Sequence, residues 1–204
     1  MNPTDDTPGL AVVLGGTGGI GAALADGLRQ QGHTVLAIGR RTAPALDYAD
    51  DSTVAAVAQF IAAELERTGL PLRRLVVATG ILHEGVVQPE RSWTHLDAAA
   101  LQRLFLVNTI GPALVMRHCL PLLPRKGRSV AAFISARVGS IGDNRLGGWY
   151  GYRASKAALN QLVHTAAIEL ARRCPQALCV ALHPGTVDTA LSQPFAKTGL
   201  EVRP

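Results

Sequence analysis

Residues 10–28 constrain the fold more than any other part of this chain. Leu10–Leu14 is an apolar run of strand length, the glycine cluster 15–21 (GGTGGIG) follows it, and residues 22–28 have helical apolar spacing. Glycine allows a tight turn that approaches a pyrophosphate closely, and the free N–H groups at the start of a helix favour negative charge. The stretch therefore predicts a strand, a phosphate-binding turn and a helix. The alternative is a glycine-rich surface turn.

Further strands and helices are predicted in alternation. The strands are Thr34–Ile38, 75–78, 129–135 and 178–183, and the helices are 52–68, 98–123 and 149–173. Apolar strands separated by helices indicate a parallel sheet covered on both faces. We expect an α/β fold, a Rossmann doubly wound sheet of about six strands, in one domain over residues 1–204. Ligands in such folds bind beyond the carboxyl ends of the strands, where glycines and polar residues recur in this sequence.

Composition excludes several other classes of protein. Hydrophobic residues make up 48% and charged residues 17% of the 204, which is too apolar for disorder and too evenly spread for membrane spans. The net charge is +5, but the arginines are scattered, so we expect no nucleic-acid partner. The three cysteines lack the spacing of a zinc site, and we expect no metal. Residues 1–8 read as a flexible tail without a secretory signal, which predicts a cytoplasmic protein.

Tyr152 and Lys156 are candidates for acid–base chemistry. They are four residues apart in a predicted helix, which puts them on one face. A neighbouring ammonium favours the phenolate and lowers the pKa of a tyrosine from about 10. Such a tyrosine can exchange a proton with a substrate near neutral pH. The alternative is an ordinary exposed pair on a helix.

The order of these motifs resembles the short-chain dehydrogenase/reductase family over residues 10–189. The set comprises the glycine loop, Asn108 in the long middle helix, Tyr152 with Lys156, and the segment 184–189 (PGTVDT). The stretch 139–160 looks like the C-factor/sniffer-type carbonyl reductase subgroup. The resemblance implies that Tyr152 protonates a carbonyl oxygen as hydride arrives, or acts as the base in the reverse direction. Lys156 would hold the nicotinamide ribose and depress the tyrosine pKa.

Asn108 has two interpretations. By the resemblance it sits in a helix break and holds a water that links Lys156 to solvent. The alternative is a polar residue inside a helix, packed against a neighbouring backbone.

The serine of the family pattern is displaced in this chain. The usual Ile-Ser-Ser is Ile134-Ser135-Ala136, so Ala136 stands where the catalytic hydroxyl is expected. Ser135 is one residue away, and adjacent side chains of a strand face opposite ways. Ser140 lies in the following loop. We expect Ser140 to supply the hydroxyl, with Ser135 as the alternative.

Arg40 and Arg41 indicate the cofactor. They follow Gly39 at the end of the second predicted strand, where an acidic residue would accept from the ribose 2′-hydroxyl of NAD and an arginine accommodates the 2′-phosphate of NADP. We therefore expect NADP(H) to be preferred over NAD(H); two solvated arginines are the alternative. Asp47 and Tyr48 resemble the family's contact with the adenine edge, although the connection before them is too short for the usual helix.

The resemblance also implies a wider set of cofactor contacts. Besides Asn108, Tyr152 and Lys156, it comprises Gly15, Thr17, Gly18, Gly19, Ile20, Gly21, Ala78, Thr79, Gly80, Pro184, Gly185, Val187 and Thr189.

The chain ends soon after Thr189, where relatives usually add a helix and a seventh strand. Either the sheet ends at six strands, or a partner subunit covers that edge. Residues 186–204 are expected to form the substrate loop and C-terminal segment. Helices 98–123 and 149–173 are apolar on more than one face and commonly pair between subunits in this family, so we expect a homodimer or homotetramer.

The functional interpretation is an NADP(H)-dependent oxidoreductase that interconverts a small-molecule carbonyl and an alcohol. A rival is a cofactor-binding regulatory or signalling protein in which Ala136 reflects lost chemistry. A second rival, an extended nucleotide-sugar epimerase or reductase, needs a larger C-terminal domain. His83, Trp93 and Trp149 are candidates to line the substrate pocket, with core or rim packing as their alternative.

Overall fold

The computed structural model describes residues 7–85, 87–187 and 202–203. The main elements are β1 Leu10–Leu14, α1 Gly19–Gln30, β2 Thr34–Ile38, α2 Asp51–Thr68, β3 Leu72–Val77, α3 Ala98–Phe105, α4 Gly111–Cys119, β4 Ser129–Ile134, α5 Tyr150–Arg173 and β5 Ala177–Leu182. A π-helical turn, Leu106–Ile110, joins α3 to α4. The strand predicted at 75–78 begins earlier, at Leu72. Helix α1 begins three residues before the predicted 22–28, at Gly19. The other predicted elements lie within one or two residues of their expected bounds, apart from the middle helix, which divides into α3, the π turn and α4.

In the part of the chain that the structure describes, five parallel strands form the main sheet in the order β2-β1-β3-β4-β5. Two further two-residue strands, β6 Thr186–Val187 and β7 Val202–Arg203, pair in parallel apart from it. The expected Rossmann-type α/β fold is confirmed, with five strands in the main sheet where about six were expected.

The core explains why β1 is apolar throughout. All five of its residues are buried. Leu10, Val12 and Leu14 belong to the large cluster formed with α2, α4 and α5, whereas Val13 packs with Ala25 of α1 on the other face. A strand covered by helices on both faces reads as a continuous hydrophobic run.

The continuous helical stretch Ala98–Leu122 is part of this core. Within the described residues it is the one stretch long and apolar enough, by length and composition, to cross a membrane. Here it packs against α2 and α5, which is the ordinary position of a core helix.

Candidate active site

The candidate site lies where the five parallel strands end. Because all carboxyl ends meet at one edge of such a sheet, the loops that follow the strands are neighbours. Gly15 follows β1, Gly39 follows β2, Ala78 follows β3, Ser135 follows β4 and His183 follows β5.

The glycine loop after β1 forms a cradle for an anion. Gly15 has a φ of +82° and donates its N–H to the Ile38 carbonyl at 2.7 Å. Gly21 has no space for a side chain, because a Cβ there would collide with the Gly15 carbonyl oxygen. Helix α1 starts at Gly19 with no side-chain cap and no acidic residue in its first turn. Its first N–H groups thus have no side-chain competitor for a phosphate, and the loop fits the pyrophosphate of a dinucleotide.

The loop after β2 presents Arg40 to solvent. The Thr42 hydroxyl closes this turn by donating to the Gly39 carbonyl at 2.9 Å. The Arg40 side chain is 73% exposed, and its Nη1 lies 3.3 Å from Glu84 Oε1. Glu84 is held more firmly by Arg103, whose Nε and Nη2 donate to Oε2 at 2.8 and 2.6 Å. The sequence interpretation missed Glu84, because its partners are 44 and 19 residues away.

Tyr48, expected together with Asp47 at the adenine edge, has a buried side chain. Its ring packs against Gly111 of α4, where a Cβ would overlap the ring. The Tyr48 hydroxyl shares a hydrogen bond of 2.9 Å with the Thr79 hydroxyl. Burial raises the pKa of Tyr48 well above its ordinary value. Only the exposed Asp47 and the backbone of this loop remain available for an adenine edge.

Tyr152, Lys156 and Asn108 are brought together. Lys156 Nζ lies 5.9 Å from the centre of the Tyr152 ring and donates to the Ile134 carbonyl at 2.9 Å. A Cβ built on Gly80 would lie 3.3 Å from Lys156 Nζ and 3.4 Å from Asn108 Oδ1, so this loop glycine is where the two side chains meet. All three polar residues are less than 9% exposed.

Asn108 lies in a helix break, as the resemblance implies, and its side chain is bonded to a neighbouring backbone. It lies in the π-helical turn, and its amide makes two hydrogen bonds of 2.9 Å with the backbone of Ile81. Its Nδ2 also donates to the Ser155 hydroxyl at 3.2 Å, and that hydroxyl donates to the Tyr152 carbonyl at 2.9 Å. Ser155 was missed from the sequence, although it lies three residues after Tyr152 on the same helix.

The pKa of Tyr152 moves in the direction opposite to the sequence expectation. Burial raises the pKa of this phenol to about 12. Lys156 is also buried, which lowers the pKa of its ammonium to about 8. The ammonium is bonded to the Ile134 carbonyl, and desolvation outweighs its attraction for a phenolate. Tyr152 is therefore a neutral phenol near pH 7, able to donate a proton.

Each candidate serine has a hydrogen-bond partner in the structure. Ala136 packs against the cluster that contains Tyr152, whereas the Ser135 hydroxyl donates to Asn160 Oδ1 at 2.6 Å. The exposed Ser140 accepts from the Asp143 N–H at 3.3 Å. Both serines line a cavity of about 530 Å³ that Ala136, Asn160 and His183 also border. The Ser140 hydroxyl is thus hydrogen-bonded to the backbone of its own loop.

The remaining predicted residues have mixed positions. Thr17 is exposed beside Gly39, and Ile20 is half-buried. Pro184, Gly185 and Val187 follow β5 at the expected edge, while Thr189 lies outside the described residues.

Of the pocket candidates, Trp93 is 71% exposed, and Trp149 meets Tyr152 edge-on with 6.2 Å between ring centres. Burial and the nearby Arg137 lower the pKa of His183. Across residues 7–85, 87–187 and 202–203 no group of three or more His, Cys, Asp or Glu side chains could hold a metal ion.

Comparisons with known proteins agree with this geometry. A family model described as short chain dehydrogenase matches residues 9–199. The chain is 30% identical over 195 residues to 1-hydroxy-2-glutathionyl-2-methyl-3-butene dehydrogenase of a Rhodococcus species, covering 90% of this chain and 80% of that protein. It is 39% identical over 101 residues to C-signal of Myxococcus xanthus, covering 50% of this chain and 60% of that protein. A short-chain dehydrogenase/reductase from Burkholderia multivorans, solved with bound NADP, superposes with a TM-score of 0.77 at 25% identity, covering 94% of this chain and 85% of that one.

Proposed function

Because this chain belongs to the short-chain dehydrogenase family, we propose that it is an NADP(H)-dependent oxidoreductase that interconverts a small-molecule carbonyl and an alcohol. The observation that carries the proposal is the buried trio of Tyr152, Lys156 and Asn108, set beside an uncapped glycine loop at one edge of the sheet. Family membership supplies the oxidoreductase class. The cofactor preference and the residue roles are the proposed part.

The cofactor would lie along the carboxyl edge of the sheet. The first-turn N–H groups of α1 would hold its pyrophosphate, and Arg40 would pair with the 2′-phosphate. Lys156 would reach the nicotinamide ribose. When bound, NADPH would supply the hydride. A relative of this fold is solved with NADP, which supports the choice of cofactor class.

Tyr152 would act as the proton donor in the reductive direction. Its pKa of about 12 keeps the phenol protonated near pH 7, and a developing alkoxide is a stronger base than the phenolate that remains. Lys156, with a pKa of about 8, is mostly charged at that pH and would stabilise the phenolate once it forms. Asn108 and Ser155 fix the backbone around Tyr152 and Ile81 by hydrogen bonds.

Turnover of NADPH with a panel of reactive carbonyls tests the proposal against the regulatory alternative. The panel should hold an aromatic diketone such as benzil, an aliphatic ketone and an aldehyde. We expect NADPH to be consumed with at least one of them by the wild type and with none by Tyr152→Phe. Tight NADPH binding without turnover of any carbonyl would favour the regulatory alternative.

The remaining parts of the proposal are less specific. We place the protein in the cytoplasm as a homodimer or homotetramer, with neither nucleic acid nor membrane as a partner. Ile110 and Ile168, each about half exposed on the two helices expected to pair, support the assembly. The partial match to C-signal supports the C-factor/sniffer-type subgroup over half of the chain.

A further inference from the structure

Helix α5 begins from an unusual backbone conformation. Gly147, Gly148 and Trp149 have φ values of +66°, +65° and +54°, so three consecutive residues are left-handed just before the helix. The first two are glycines, for which this costs little, but Trp149 carries a large side chain in a conformation that L-residues rarely adopt. Such a conformation persists only where its surroundings fix it.

Glu90 is one of the residues that fix this turn. Its backbone carbonyl accepts from the Trp149 N–H at 2.6 Å. Its carboxylate accepts from the Gly151 N–H, with both oxygens 3.2–3.3 Å from the nitrogen. Glu90 is 4% exposed, so a carboxylate is buried where the start of a helix presents partial positive charge. Arg153 holds the other side by donating to the carbonyls of Gly148 and Gly147.

This arrangement differs from the start of the neighbouring helices. Asp50 caps α2 and Asp97 caps α3, each from the position directly before its own helix. The residue at that position in α5, Trp149, makes no side-chain cap. The capping carboxylate of α5 comes instead from a loop 61 residues earlier in the chain. The start of α5 is thus tied to the segment that follows β3.

The hydrogen bond from Gly151 to Glu90 lies next to the acid–base residue, Tyr152. Gly151 precedes Tyr152, and a Cβ on Gly151 would lie 2.9 Å from Glu90 Oε1 and 2.6 Å from Leu104 Cδ1. Leu104 belongs to the buried cluster around Tyr152, and the Trp149 ring meets the Tyr152 ring edge-on. The backbone at Trp149 and Gly151 therefore determines the position of the Tyr152 phenol.

We propose that Glu90 is a positioning residue for Tyr152, acting through the first turn of α5. The proposal rests on the proposed function, in which Tyr152 is the proton donor. The property of Glu90 that matters is the length of its side chain, because a carboxylate oxygen must come within hydrogen-bond distance of the Gly151 N–H. A displacement of about 1 Å at a reacting group can cost about a hundredfold in rate, so a small shift of this turn suffices.

Three variants of Glu90 distinguish the effect of side-chain length from the effect of charge. Glu90→Gln keeps the length and an acceptor oxygen but removes the charge, Glu90→Asp keeps the charge but is one methylene shorter, and Glu90→Ala removes both. With a carbonyl that the wild type reduces, we expect Gln to keep kcat within about threefold and Asp and Ala to lose about ten- to a hundredfold. KM and NADPH affinity should stay within about threefold in all of them. Asp97→Ala, which removes the cap of α3, is the matched control and should keep its kcat.

Whether kcat is higher in Glu90→Gln or in Glu90→Asp decides the outcome even if Glu90→Ala does not fold. Wild-type kcat in Glu90→Asp with a large loss in Glu90→Gln would overturn the inference in favour of charge. Equal kcat in all variants would overturn it as well. A parallel loss of NADPH affinity and kcat would show a general structural role and have the same consequence.

The fluorescence emission of Trp149 tests the contact between Glu90 and the start of α5 without any catalytic turnover. The chain has two tryptophans, so in a Trp93→Phe background Trp149 is the remaining one. We expect Glu90→Asp to shift its emission to longer wavelength as the indole leaves Tyr152, and Glu90→Gln to leave it unchanged. If no carbonyl is reduced but this shift occurs, the reductase proposal fails and the Glu90 tie stands. If the wild type is active and neither emission nor kcat changes, the Glu90 inference fails alone.

Discussion

Replacing Lys156 by methionine should make the protein more stable near pH 7 while removing its activity. Burial lowers the pKa of Lys156 from 10.5 to about 8. The unfolded chain therefore binds this proton more tightly than the folded protein by about 2.5 pKa units, which is a cost of about 3 kcal/mol when both states are protonated. Methionine has similar length and no charge to desolvate. It also loses the hydrogen bond to the Ile134 carbonyl, which offsets about 1–2 kcal/mol. The expected net gain is about 1–2 kcal/mol.

The pH dependence of that gain is its most diagnostic property. Below the folded pKa of about 8 the full cost is present; as pH rises from 8 towards 10.5, the folded protein is neutral at Lys156 while the unfolded chain is still protonated, so the cost falls. Between about pH 7 and about pH 9.5 the wild type should recover about 2 kcal/mol relative to Lys156→Met. In the folded protein Tyr152, with a pKa of about 12, does not titrate in this window, and in the unfolded chain it titrates alike in wild type and variant.

Urea denaturation of the cofactor-free proteins at these two pH values measures the effect. The difference in free energy of unfolding between wild type and variant cancels the titration of all other groups. Lys126→Met, at an exposed lysine, is the control and should show no pH-dependent difference. A wild-type-minus-Lys156→Met difference that is the same at both pH values would refute the reasoning, because Lys156 would then not be desolvated on folding.

Three further predictions concern the cofactor, the missing hydroxyl and the assembly. Arg40→Ala should weaken NADPH binding about ten- to a hundredfold and leave NADH binding unchanged, measured by titration; an unchanged ratio contradicts the assignment. Ala136→Ser should raise kcat about tenfold by placing a hydroxyl in the Tyr152 cluster, whereas Ser140→Ala should stay within about threefold; a large loss in Ser140→Ala would restore Ser140 as the donor. Light scattering at micromolar concentration should give a dimer or tetramer mass, and a monomer mass would overturn the expected pairing of helices.

Local features of this fold were predictable from the sequence. The strand, glycine loop and helix of residues 10–28 are determined by neighbours in the chain, and so is the i, i+4 spacing of Tyr152 and Lys156. The bounds of β1, β2 and α2 follow from the same kind of local pattern. The order of the motifs along the chain then identified the family.

Features that depend on distant residues were not predictable. The ring of Tyr48 is buried because Gly111, far along the chain, leaves space for it. The pKa of Tyr152 rises because the surrounding cluster includes Leu82, Val87 and Leu104 from other elements, whereas the sequence showed only the nearby Lys156. Glu90 carried no signal at all, since its partner lies 61 residues away.

The central claim is that Tyr152 protonates a carbonyl that receives a hydride in this site. The most direct test uses NADPH deuterated at the transferable position of its nicotinamide ring, with the carbonyl that the panel identifies. Mass spectrometry of the alcohol should find deuterium on the carbinol carbon with the wild type, and no alcohol with Tyr152→Phe, which should still bind NADPH. Full alcohol formation by Tyr152→Phe, or alcohol without deuterium from the wild type, would contradict the account.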